Sequence, residues 1–293
     1  MPRYLDPKND LVFKKIFGRH PNLLVSFLNA VLPLPEGKVI ERVEYLPTEN
    51  VPELPKIEKR SIVDVRCYDQ YQRHFIVEMQ MAFTQHFIQR LLYNVTSVYT
   101  RQIKIAQQYQ ALNPVYGLSL VHEAFSREPG WLHHYQLMHQ ENLSNTLDDI
   151  HLVLLELPKF KPKTSQERRM TVLWLRFLTE INELTSSVDA ELFSVPEIEE
   201  ALKLAEESAF TAAELDAYSR HWDEVRTYRM SLSDKLEEGL EKGRAEGLAE
   251  GLAEGKAREQ RNIAKKMLAV GLPIATIIQI SGLAEEDILR LRE

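Results

Sequence analysis

Cysteine is all but missing: Cys67 stands alone among 293 residues. One thiol excludes an internal disulfide and any cysteine-based zinc cluster. With Val65 and Tyr68 beside it, Cys67 reads as a buried structural thiol rather than a nucleophile. Long apolar runs are also missing, and none approaches the roughly 20 residues that cross a bilayer. The opening MPRYLDPKND lacks the apolar core of a secretion signal, so a cytoplasmic location and no membrane partner are expected. No GxxxxGK[ST] or GxGxxG loop occurs, which excludes a built-in ATP motor or dinucleotide site and predicts no nucleotide cofactor. The nine histidines show no HxxxH spacing; His133, His134 and His139 fall in a polar segment and read as surface.

What is present is an ordinary globular balance, 44% hydrophobic and 27% charged. The net charge of -7 disfavours a surface that binds nucleic acid all over. Charge is uneven, however. Residues 1–125 hold 15 basic against 12 acidic side chains, so a local basic groove for phosphates fits there.

Composition divides the chain into 1–125, with mixed strand and helix patterns; 126–230, mostly helical with one strand; 231–260, a Gly/Glu repeat; and 261–293, a small helical unit. Asp10 can cap a helix over LVFKKIFG, ended by Gly18. A second helix spans 21–31, and residues 38–46 suit a strand. Pro52 and Pro55 make 51–58 a loop. SIVDVRCY and HFIVEMQM read as two strands around the polar DQYQR. A long helix from Thr84 to about Ala111 carries Phe87, Leu91, Val95 and Val98 on one face. Residues 115–121 and 151–157 add core strands, giving an α/β layout with a mixed sheet.

The hairpin carries the chemistry. Side chains alternate along a strand, so Ile62, Asp64 and Arg66 share one face, and Ile76, Glu78 and Gln80 another. If the loop centres on Tyr71, Asp64 falls opposite Glu78 and Ile62 opposite Gln80. Two carboxylates about 5 Å apart on adjacent strands repel unless something neutralises them. A divalent cation does so, and carboxylates with water and phosphate oxygens suit Mg²⁺. Gln80 points to the same place and is positioned to orient an attacking water. The plainer alternative is a structural ion pair of Asp64 with Arg66.

DPKNDLVFKKIFG, SIVDVRCYD, FIVEMQM and a helix with QRLLYN together resemble the Rpn family of recombination-promoting nucleases, also described as transposases, over residues 1–125. The tail is similar to that of the family too. This resemblance implies a PD-(D/E)xK restriction-endonuclease-like core, a mixed sheet flanked by helices, with a helical C-terminal region. It implies metal-dependent cleavage of DNA with Mg²⁺, or Mn²⁺ or Ca²⁺. It makes Asp64 the motif aspartate, Glu78 the motif acid, Gln80 the residue at the usual lysine position, and Asp10 an extra acid. It makes Arg90 and Tyr93 candidates for phosphate contact; on the residues alone, Tyr93 suits the core and Arg90 an acidic partner. Two departures stand out. Val63 replaces the motif proline, and Gln80 supplies no positive charge, leaving Lys14 or Arg66 to compensate.

In the tail, glycine recurs at 239, 243, 247, 251 and 255. Each costs a helix about 1 kcal/mol against alanine, which packing against another chain would offset. A homo-oligomer through this region is expected, with a frayed, solvated helix as the alternative. Residues 261–292 suit three short helices split near Gly271 and Gly282. The acids Glu285, Glu286 and Asp287 would repel DNA at the last helix, favouring a packing unit over a helix-turn-helix reader. Two functions follow: a DNA endonuclease linked to recombination or mobile elements, or an impaired relative that binds DNA or protein and oligomerises by its tail.

Overall fold

The structure is a computed structural model that describes residues 2–50, 61–81, 84, 86–103, 108–161 and 169–291. Two helices open the chain, α1 (Asp10–Phe17) and α2 (Pro21–Val31). The cap of α1 is Asn9, whose side chain accepts from the Leu11 N–H at 3.0 Å; Asp10 is the first helical residue instead of the expected cap. Proline at the first position of α2 sets its start, as the sequence suggests.

Strands β1 (Val43–Tyr45), β2 (Glu49–Asn50), β3 (Ser61–Ile62), β4 (Val65–Asp69) and β5 (His74–Gln80) follow. The strand expected over 38–46 is shorter because Asn29 takes both backbone groups of Ile40, at 2.7 and 2.9 Å, in place of a neighbouring strand. The loop expected at 51–58 lies outside the described residues. The strand expected over SIVDVRCY is broken at Val63–Asp64. Its first piece, β3, pairs with β2, so Ile62 is in backbone register with Glu49 and not with Gln80. Beyond the break, β4 and β5 pair antiparallel with Val65 opposite Val77, the register that a loop centred on Tyr71 requires. Gln72, at φ 59°, closes this loop, and Asp69 binds the Tyr71 and Arg73 N–H groups with one carboxylate oxygen.

Helix α3 (Phe87–Thr100) buries Phe87, Leu91, Val95 and Val98, the expected stripe, but stops well short of Ala111. Then come β6 (Val115–Val121), β7 (Leu132–Met138) and β8 (Thr146–Glu156). Among the described residues the 126–230 region thus has two strands, not one. β7 escapes sequence reading because LHHYQLM is a sheet edge without a clean apolar alternation. Its histidines are not all surface groups either. His133 lies 3.3 Å from the fully buried Glu156, while His134 is exposed, as expected, and 3.0 Å from His151. The sheet order is β1-β4-β5-β6-β8-β7, with β5, β6 and β8 parallel and the other pairings antiparallel.

Each sheet face has its own core. On one, α1, α2, α4 (Arg169–Glu180) and α5 (Pro196–Ala205) pack over Val65, Cys67, Phe75, Val77 and Leu118. Phe13, Phe17, Phe27 and Trp174 form a continuous aromatic cluster there. Full burial of side chains of this size contributes roughly 1.5–3 kcal/mol each. Cys67 is fully buried, and burial pushes its thiol pKa up, as a structural role requires. On the other face, α3 covers Ile76, Val115, Val121 and Leu154. α3 lies directly on β6: a Cβ at Gly117 would sit 2.5 Å from Val95 Cγ2.

The chain divides into two compact units, Met1–Arg226 and Thr227–Glu293, and α6 (Ala212–Ala269) belongs to both. In the second unit, α7 (Ile274–Ser281) and α8 (Glu285–Arg290) pack Ile277 and Ile288 on Ala264 of α6. Gly271 and Gly282, at φ 77° and 69°, make the two turns where the sequence places them. Among the described residues no helix is long and apolar enough to cross a membrane.

Candidate active site

The end of β5, Glu78–Met79–Gln80, is where the candidate residues converge. Asp64 sits at the bend between β3 and β4. Val63 packs with the α3-side core and Val65 with the opposite core, so the strand turns over between them. Strict alternation would have put both on one face. With the backbone ladder interrupted, the Asp64 carboxylate replaces it: Oδ2 accepts from the Met79 N–H at 2.7 Å. The other oxygen turns to α1. Lys14 Nζ lies 3.4 Å from Asp64 Oδ1 and 2.8 Å from Asp10 Oδ1. Asp10 and Asp64 lie close enough for each carboxyl to shift the ionisation of the other. The acid that meets Asp64 is therefore Asp10 on α1. The expected face-to-face pair of Asp64 with Glu78 is altered by the bend, which re-aims one member.

Electrostatics follow from this crowding. Burial first, and then the Asp10 contact, push the Asp64 carboxyl up to about 7. Met79 and Lys14 oppose that shift. Burial also acts to raise Asp10, but Asp64 and Lys14 outweigh it and hold Asp10 below the usual range. Two carboxyls this close disfavour double ionisation, and further positive charge relieves this.

Glu78 projects from the other face of β5, toward α3, and is 6% exposed. Its Oε1 accepts from Asn94 Nδ2 at 2.8 Å. Burial raises its pKa, opposed by Asn94 and Arg90. Gln80 accepts from the Arg90 guanidinium. Arg66 is half-buried opposite Ile76, and burial, followed by Arg101, lowers its pKa. Tyr93 is 41% exposed, so it is not the core residue that the residue pattern allowed. The structure thus forms two groups: Asp10, Lys14 and Asp64 on the α1 side, and Glu78, Gln80, Arg90 and Asn94 on the α3 side. Asp64 reaches β5 at Met79, between Glu78 and Gln80, which joins them.

Sequence reasoning missed two members. Asn94 is 1% exposed. Its signal was a polar residue seven after Phe87 on the apolar stripe of α3, within the QRLLYN string. His221 of α6 acts electrostatically on Asp10, and nothing local in the sequence marks it.

Among the described residues no group of three or more His, Cys, Asp or Glu is gathered to hold a metal ion. The donor chemistry fits one nonetheless. The candidates are oxygen donors, Asp64 and Glu78 are buried acids whose ionisation burial disfavours despite their Lys14, Met79, Asn94 and Arg90 neighbours, and Asn94 Oδ1 is buried with no hydrogen-bond partner among the described residues.

A helix-flanked mixed sheet, with an acid entering the hairpin and an acid-x-polar pattern closing its second strand, defines a PD-(D/E)XK nuclease core. The chain belongs to the PD-(D/E)XK nuclease family transposases, whose family model matches residues 7–234. Residues 257–293 match the C-terminal HTH domain of the Rpn/YhgA-like nuclease family. This corrects the preference for a mere packing unit there: glycine turns and an apolar core set that backbone, and the acids of α8 do not prevent it. No curated protein and no solved structure matches the chain.

Proposed function

We propose that this chain is a divalent-metal-dependent DNA endonuclease, linked to recombination or mobile elements in the cytoplasm. The observation that carries this reading is the meeting of two polar groups at Glu78–Met79–Gln80, through the 2.7 Å bond from Met79 to Asp64. Asp64 and Glu78 would hold the ion, with Asp10 as a further acid. The bound ion, Mg²⁺ or Mn²⁺, supplies charge stabilisation for the phosphate and a more acidic water. Gln80, held by Arg90, orients the water. Lys14 takes the place of the lysine that Gln80 replaces, since its ammonium already faces Asp64. Arg66, Arg90 and Tyr93 contact the DNA backbone. The helix-turn-helix match supports DNA as the partner. Exposed Leu236, Leu240, Leu248 and Leu252 beside the glycine repeat support self-association through α6.

One observation favours the second reading, an impaired relative that only binds DNA or protein. Lys14 already neutralises Asp10 and Asp64. The two are separated by incubating the protein with plasmid DNA and with RNA, in Mg²⁺, Mn²⁺, Ca²⁺ or chelator. Cleavage of DNA with Mg²⁺ or Mn²⁺ supports the endonuclease. Retention of DNA without cleavage supports the binding module, and cleavage of RNA alone reassigns the substrate.

A further inference from the structure

Helix α3 contacts the end of β5 with two polar side chains four residues apart, Arg90 on Gln80 and Asn94 on Glu78. Four residues rise about 6 Å along a helix. Two residues advance about 6.6 Å along a strand. The spacings match, so one helix face can hold both strand residues together. The close approach depends on Gly117, where a Cβ would overlap Val95 Cγ2. Val95 is the residue next to Asn94.

Asn94 is costly where it stands. Its neighbours on the stripe are apolar, and its Oδ1 is buried with no hydrogen-bond partner among the described residues. The Ser119 hydroxyl, opposite Glu78 in the β5–β6 ladder, is in the same condition. A buried polar group left without a partner destabilises the fold. An apolar residue here would leave no such group on α3. Its one side-chain hydrogen bond among the described residues goes to Glu78, which without it would be a buried acid with no hydrogen bond from α3.

We infer that Asn94 is a positioning residue for Glu78: its amide fixes the carboxylate so that the second oxygen is presented at the β5 end, and Arg90 fixes Gln80 in step. This rests on Glu78 being an ion ligand, as proposed above. Partners of metal ligands typically change ion affinity 10–100-fold when removed.

The test is isothermal titration of the full chain with Mn²⁺, comparing wild type, Glu78→Ala, Asn94→Ala, Asn94→Leu and Asn94→Ala in the Glu78→Ala background. Asn94→Leu fills the volume and serves if the alanine variant fails to fold. The expected result is a loss of about 10–100-fold in Mn²⁺ affinity for either Asn94 variant, with little further loss once Glu78 is gone. Wild-type affinity in folded Asn94 variants, with Glu78→Ala weakened, would overturn the inference and leave the endonuclease reading intact. Equal losses with and without Glu78 would also overturn it, as a structural effect. Unchanged affinity in Glu78→Ala would overturn both.

Discussion

Lys14 is the residue on which charge at the site turns. Its Nζ contacts Asp10 at 2.8 Å and Asp64 at 3.4 Å, with Asp64 mostly enclosed and Asp10 half-open. An exposed i,i+4 pair of Lys14 with Asp10 alone would matter little. The contact with Asp64 gives it a second task. Lys14→Gln is expected to leave the fold intact and lower DNA cleavage by about 10²-fold, the scale of losing one electrostatic stabiliser. Single-turnover cleavage measured beside a thermal melt checks this; unchanged cleavage would return Lys14 to a surface ion pair. At this scale the sequence was partly legible. The register that places Asp64 level with Glu78 follows from the loop centre. The direction of Asp64 does not, because alternation fails at a bend. Asn9, not Asp10, caps α1, which frees Asp10 to face Asp64.

At the scale of elements, two contacts are testable. Gly117→Ala drives a methyl into Val95, and α3 must shift away from β6. Overpacking of this kind typically costs about 1–3 kcal/mol. A lower urea midpoint is expected, recovered in part by Val95→Ala, which removes the colliding methyl.

The second contact is His134–His151 between β7 and β8, stacked on Tyr116. Burial first, and for His134 also its neighbour His151, hold both imidazoles below the ordinary histidine value. A lowered histidine value means that the unfolded chain takes up protons first. The stabilising contribution is therefore complete above about 6.5 and lost as pH falls through the folded values. Between about pH 7.5 and about pH 5.5, wild type should lose more stability than His134→Gln, read from urea midpoints. Equal losses would show that the pair does not titrate with folding.

The elements themselves were legible where one face is apolar, as in α2, α3 and β6. β7 was not, since an edge strand carries no apolar alternation. The early stop of α3 was not legible either, because the stripe alone does not mark where packing on β6 ends.

Across the whole molecule, the two compact units differ in what secures them. Residues up to Arg226 enclose both cores, and Tyr218 at the start of α6 ties in the N-terminus through the Asp6 N–H at 3.0 Å. From Arg226 onward α6 leaves leucines and five glycines open, and each interior glycine costs about 1 kcal/mol. Removing residues after 234 should therefore preserve the fold and abolish self-association, read by sedimentation velocity. An unchanged oligomer would place the interface elsewhere. The family was legible from the motifs, and the helices of the C-terminal domain from its glycines, whereas its helix-turn-helix character was obscured by its acids.

The proposed reaction requires that Asp64 and Glu78, which approach the end of β5 from opposite faces, serve a single ion. The direct measurement is nicking of supercoiled plasmid in Mg²⁺ by wild type, Asp64→Ala and Glu78→Ala, each with its circular dichroism spectrum. Nicking by wild type alone is expected, with all three proteins folded. Nicking by either folded variant at the wild-type rate would contradict it.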